Sequence, residues 1–267
     1  ATAVLDLDPY TLAPQHRARY ASLIHTVAGA AEQDTARLGL ATLASWARWD
    51  EAGTELLVGR VADLANTASW REALTALIAG ATATEDPAPL VDAVTRLLST
   101  PDWTAAADRD LPARQRIQAI ADLVGRSAYE APSLRAAASA LADALAAEET
   151  LRGSMIDLAV TAIPFEPDGD GVAALRRVAA LADEPRWAWR AHRAVLWRLS
   201  GRVAKLPQAH LYDLATAADP LLGLAIASQA GPEAGWPTHW RAFVTGLRDH
   251  ADPDVRLTAL DTYTTRE

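Results

Sequence analysis

Apolar positions held mostly by Ala and Leu are interspersed with Arg and Glu along nearly the whole chain, a pattern of strong helix formers. Alternating β-branched runs bounded by turn residues, the mark of strands, are absent. Helix starts are marked by an acidic or hydroxyl residue, often followed by proline. Asp86-Pro87, Asp219-Pro220 and Asp252-Pro253 are clear cases, and Asp110-Leu111-Pro112 and Glu184-Pro185 looser ones. Ser69-x-x-Glu72 reads as a capping box, and Gly201 and Gly231 as helix stops. These marks predict about fourteen helices, over 14–29, 34–48, 51–65, 68–81, 87–98, 111–125, 132–147, 149–163, 171–183, 185–200, 207–217, 220–230, 237–249 and 253–265. The two longest connections run from Thr100 to Asp110 and from Pro164 to Asp170, and neither reads as a domain linker.

The helices pair with a period. Alternate ones carry an arginine near the end of the first turn: Arg37, Arg71, Arg116, Arg152, Arg190 and Arg256, spaced 34, 45, 36, 38 and 66 residues apart. The last gap holds two units, the skipped one beginning at Asp219-Pro220. Two helices per unit at this period is the signature of an α-solenoid. Asp252-Pro-Asp-Val-Arg256-Leu-Thr-Ala259-Leu260 resembles the second-helix signature of HEAT repeats, and Asp34 to Ala41 and Asp183 to Ala194 look like degenerate copies. The resemblance implies an all-α fold, an α-α superhelix of about seven antiparallel helix pairs running as one continuous solenoid over 1–267. It also implies a scaffold for protein binding, with the recurrent arginines laddered to neighbouring aspartates.

Composition supports a folded chain, with 50% hydrophobic and 22% charged residues. Alanine makes up roughly a quarter of it, which suits close helix approach. Zero cysteines exclude disulfides, thiolate metal sites and a cysteine nucleophile. The net charge of −9 opposes a phosphate-binding surface. The most apolar run, Ala136 to Ala147, holds Asp143 and is too short to span a bilayer, so a cytoplasmic protein is expected. The chain begins at Ala1 and its one methionine is Met155, which raises the expectation of a piece of a larger chain.

Candidate chemistry concentrates in 185–200. At 100° per residue, Ala188, Trp189, His192, Val195, Leu196 and Leu199 share an apolar stripe, with His192 read as a core histidine. The opposite stripe holds Trp187, Arg190, Arg193, Ala194 and Trp197, with Arg186 beside it. Interleaved Arg and Trp can grip carboxylates or phosphates and anchor an interface. Of the other tryptophans, Trp103 is expected to be the most exposed. The loop from Glu166 through Asp168 to Gly171 follows an EF-hand start, but the position for the bidentate carboxylate falls on Arg177, so no calcium site is read there.

The histidines form no metal pair and no catalytic motif appears, so no metal, cofactor or enzymatic activity is expected. The reading is a non-catalytic HEAT-like scaffold for a protein or peptide, or the regulatory array of a larger chain. The alternative is a HEAT-like DNA-binding protein or alkyl-base DNA glycosylase. Trp187-Ala-Trp-Arg190-Ala191 is similar to the Trp-x-x-Arg-Ala segment that carries an essential Arg in that family. Asp157 lies 33 residues upstream, where the family has its catalytic Asp, but no Trp precedes it in its helix.

Overall fold

The computed structural model describes residues 7–30, 32–46, 49, 51–100, 103, 111–131, 133–165 and 170–264. Among them every regular element is helical. Fourteen α-helices occur: α1 (Pro14–Ala28), α2 (Gln33–Trp46), α3 (Glu51–Ala62), α4 (Trp70–Thr84), α5 (Ala88–Leu98), α6 (Pro112–Glu130), α7 (Leu134–Ala144), α8 (Arg152–Thr161), α9 (Gly171–Leu181), α10 (Pro185–Arg198), α11 (Gln208–Ala217), α12 (Pro220–Glu233), α13 (Thr238–Leu247) and α14 (Pro253–Asp261). Asp86, Asp170, Asp219 and Asp252 each accept a backbone N–H at the start of a helix, at 2.8–2.9 Å. Asp110 lies outside the described residues.

Three local expectations are corrected. The capping box of α4 does not form, because both side chains have other partners. The Ser69 hydroxyl is engaged by Asn66, and Glu72 accepts from Arg37 Nε at 2.7 Å. Gly231 does not stop α12, which runs on to Glu233. The chain reverses at Gly235, at φ 73°, and the Trp236 N–H returns to the Gly231 carbonyl at 2.7 Å. α6 continues through Gly125 to Glu130, and the Ala131 N–H bonds the Ser127 carbonyl just ahead of Pro132.

Packing divides the chain into two compact units, Ala1–Ala144 and Leu145–Glu267. In the first, α2 lies on α1 and α4, α3 on α4 and α5, and α5 on α6 and α7. Small residues set the spacing: a Cβ on Gly39 of α2 would stand 2.3 Å from the Ala28 backbone nitrogen of α1. In the second, α8, α10, α12 and α14 succeed one another as packed neighbours, with α9 and α11 beside them and α13 against α12 and α14. One apolar core from Ile156 to Ala259 joins them. α12 is buried all round (Leu221, Leu222, Leu224, Ala225, Ile226 and Ala227), as its uninterrupted apolar sequence requires.

The helices are short, so backbone carbonyls left over at their C-termini are numerous. Arg116 of α6 closes one such end. Its guanidinium donates to the carbonyls of Val61 and Asp63, both at 2.7 Å, of Asn66 at 2.6 Å and of Leu64 at 3.4 Å. It lies over the Trp70 ring at 5.0 Å and is 3% exposed. Burial pushes its pKa down and the Asp63 charge pulls it back up, but the arginine stays charged. Lysine lacks the planar fork needed to span these acceptors. Arg116→Lys is therefore expected to lower unfolding stability by about 2 kcal/mol and Arg116→Met by more, since both leave buried carbonyls unpaired. Urea unfolding of the two variants checks this. A loss within about 0.5 kcal/mol for Arg116→Met would show that water satisfies those carbonyls as well.

Candidate functional site

α10 is set in place by its alanines. Pro185 opens it, and the Glu184 carbonyl accepts the N–H groups of Trp187 and Ala188 at 2.9 and 2.8 Å. Ala188, Ala191, His192, Ala194 and Val195 are buried, which brings α10 against α8 and α12. The buried stripe differs from the one the sequence suggests. Ala194 is buried and Trp189 is 44% exposed, because α10 has neighbours on two sides and its small residues occupy both.

Trp189, Arg193 and Trp197 follow one another at i, i+4 and i+8, so they rise along one face. With Arg186, Arg190 and Asp157 they line an open cleft of about 470 Å³. Trp197 is 79% exposed. Asp157, on α8, is the buried polar floor, its side chain 12% exposed. Arg190 donates to its Oδ2, and Arg198 stands 3.9 Å from the same oxygen while donating to Thr161 Oγ1 at 2.9 Å. Arg186 is shared with Glu184 at 3.0 Å and Glu149 at 3.7 Å. Arg193 makes no ion pair among the described residues and offers its guanidinium to the cleft. Three arginines thus face one carboxylate, in a chain whose net charge is −9.

Of the residues singled out from the sequence, Arg190, Arg193 and Trp197 come together here and Trp187 does not. The Trp187 ring lies half-buried in contact distance of Gly153, where a Cβ would be 3.4 Å away, and Arg186 covers it at 4.5 Å. Trp189 and Arg198 are the residues the sequence reading missed as site residues. The four-residue spacing of Trp189, Arg193 and Trp197 was the available signal for the first. Arg198, which reaches Asp157 only through the fold, had none.

The recurrent arginines do not repeat one contact. Arg37 bonds Glu72, Arg71 lies over Trp70 at 5.1 Å, and Arg256 donates to the His250 carbonyl at 2.8 Å. Arg152 bonds the Leu181 carbonyl at 2.9 Å as well as Asp183. Among the described residues, only Arg152 and Arg190 of the six pair with an aspartate. Trp103 is buried, under the Arg114 guanidinium at 5.7 Å, contrary to its expected exposure; a cation over its ring covers area that a loop would leave wet. In the acidic loop Glu166 and Asp168 lie outside the described residues, and Asp170 caps α9. No group of three or more His, Asp or Glu able to hold a metal occurs among the described residues, and no helix there is long and apolar enough to cross a membrane.

His192 is 5% exposed, with Nδ1 2.9 Å from the Leu221 carbonyl and its ring stacked on Trp189 at 5.3 Å. A carbonyl only accepts, so the proton sits on Nδ1. Burial pushes the His192 pKa below its ordinary value, partly offset by the Leu221 bond. The unfolded chain therefore takes up a proton near about pH 6.5 and the folded chain only at lower pH. Stability is whole above that value and falls as the pH drops through it. Urea unfolding at about pH 7.5 and about pH 5.5 should show this loss in the parent and a smaller one in His192→Gln. Asp157→Asn is expected to cost about 1–3 kcal/mol through its lost charged bonds, while Trp197→Ala stays within about 0.5 kcal/mol of the parent in the same assay.

Comparison with protein-family models, with curated proteins and with solved structures finds nothing that matches this chain, so the reading of its function rests on the geometry above.

Proposed function

We propose that the chain is a non-catalytic, HEAT-like α-solenoid scaffold whose second unit holds an acidic segment of a protein or peptide on the α10 cleft. The observation that carries this reading is the pair of exposed tryptophans, Trp189 and Trp197, flanking Arg193 over the cleft. Large exposed aromatics beside an uncommitted guanidinium are the usual energetic centre of an interface, the rings supplying buried area and the arginine a carboxylate grip. The packing of most helices on the next and the next but one, within each unit, supports the solenoid part of the reading. The partner belongs either to another protein or to a further segment of a longer chain.

The test is a binding screen on immobilised peptides of matched length carrying acidic, neutral or basic residues around one aliphatic or aromatic anchor. Acidic peptides should bind in the micromolar range, and Trp197→Ala and Arg193→Glu should each weaken them at least about tenfold without a change in unfolding midpoint. Equal binding of acidic and basic peptides, or variants that bind like the parent, would sink the proposal.

A second reading has one specific observation in its favour. Arg190 of the Trp-x-x-Arg-Ala segment bonds Asp157, which brings together the two residues that the resemblance to alkyl-base DNA glycosylases singles out. Helix α8 carries no Trp before Asp157, and the acidic chain opposes phosphate. Release of alkylated bases from treated duplex DNA, abolished by Asp157→Asn, would favour this reading over the scaffold.

A further inference from the structure

A second cleft in the Leu145–Glu267 unit shares Trp189 with the first but lies among α10, α12, α14 and the residues after α14, with a volume of about 460 Å³. Three aromatic rings line it, Trp189, Trp236 and Tyr263, with Leu196, the hydroxyl residues Ser228, Thr258 and Thr262, and Asp261 at the rim. Trp236 is fixed in place. It holds a left-handed backbone at φ 53°, and its ring lies so close over Gly231 that a Cβ there would meet it at 2.4 Å. Such strain in a large side chain persists only where the surroundings enforce it. Tyr263, 81% exposed, stands as the outer wall.

One ring nitrogen that faces this cleft has no protein partner. His192 spends Nδ1–H on the Leu221 carbonyl, which leaves Nε2 as the ring's acceptor, and Nε2 has no partner among the described residues. An acceptor open to a cleft can take a hydrogen bond from a molecule bound there. Burial also disfavours the imidazolium, so the acceptor lone pair is present at neutral pH.

We infer that this cleft binds a flat, uncharged heteroaromatic molecule of one or two fused rings, which stacks between the aromatic walls and donates an N–H or O–H to His192 Nε2. Its volume lies in the range of small-molecule sites. Parallel and edge-on ring contacts supply the affinity, the His192 acceptor supplies the orientation, and Asp261 at the rim works against anionic rings. The site needs no contact with the acidic segment proposed for the α10 cleft, so the two readings stand or fall separately.

The probes are indole and benzofuran, which share their shape and differ in that only indole carries an N–H donor. Each is titrated into the full chain while the tryptophan side-chain N–H signals are followed by NMR, with Trp189 and Trp236 assigned by single Trp→Phe replacements. Indole should bind saturably and move both signals, benzofuran should bind at least about tenfold more weakly, and Tyr263→Ala should weaken indole at least about threefold. His192→Phe should erase the difference between the two rings. Should that variant fail to fold, the comparison of the two rings on the parent protein still decides. Equal affinity for indole and benzofuran, indole binding that leaves Trp189 and Trp236 unmoved, or no saturation up to about 5 mM would each overturn the inference.

Discussion

The structure depends on how short helices close their ends. A helix of ten to fifteen residues leaves a large share of its carbonyls unbonded, and in a stack of helices many of those ends lie against a neighbour, away from water. The solution adopted here is the arginine side chain of another element. Arg116 takes one carbonyl in the last turn of α3 and three just after it, Arg152 takes the Leu181 carbonyl at the end of α9, and Arg256 takes that of His250 after α13. A guanidinium at a helix C-terminus also meets the negative end of the macrodipole, so hydrogen bonding and electrostatics act in the same sense. This gives a partial physical reason why Lys205 is the only lysine: where a planar fork must span two or more acceptors, an ammonium is a poor substitute.

Close helix approach is the second condition, and it makes the first possible. A guanidinium reaches the next helix end only if the backbones stand near one another, and the alanines and glycines at the crossings allow it. Gly39 sits against the backbone of α1, and Ala188, Ala191 and Ala194 let α10 press on its neighbours from two sides. Small residues leave gaps where helices diverge, and large rings occupy several of them. Trp46, Trp240 and Trp236 are buried in this way. The same division of labour creates the clefts: on α10 the alanines face inward, so the large residues of the helix, Trp189 and Trp197, are turned outward.

How much of this can be read in the sequence follows from whether an interaction has a partner with a fixed offset. The helical period and the Asp caps at 86, 170, 219 and 252 are local, and they are legible. Gly231 misled because glycine is equally a helix stop and a place where a ring can rest, and the ring, Trp236, reverses direction before reaching it. Ser69 and Glu72 misled because a capping box competes with any stronger partner, and Arg37 and Asn66 were stronger. The carbonyls held by Arg116 could not be found at all, since a backbone acceptor carries no residue signature. The contact of Arg190 with Asp157 joins two helices and has no local signal, while Trp189 was assigned to the buried stripe by helical period alone, although small residues of α10 take the buried positions.

Charge then decides what the α10 cleft can select. The chain as a whole repels anions, and at physiological salt that repulsion is screened beyond about 8 Å. Within the cleft the balance is reversed, because Arg190 is anchored on Asp157, Arg186 leans on glutamates, and Arg193 is left to face outward. A long polyanion must lay charge along the acidic surface to reach this point, whereas a short acidic segment needs to place only one or two carboxylates beside Arg193. The flanking tryptophans then reward whatever apolar group accompanies them, and they do so without regard to salt. If the cleft holds the acidic segment proposed for it, selection there is by local fit of one carboxylate and one apolar anchor, and the acidic net charge disfavours an extended polyanion more than a short peptide.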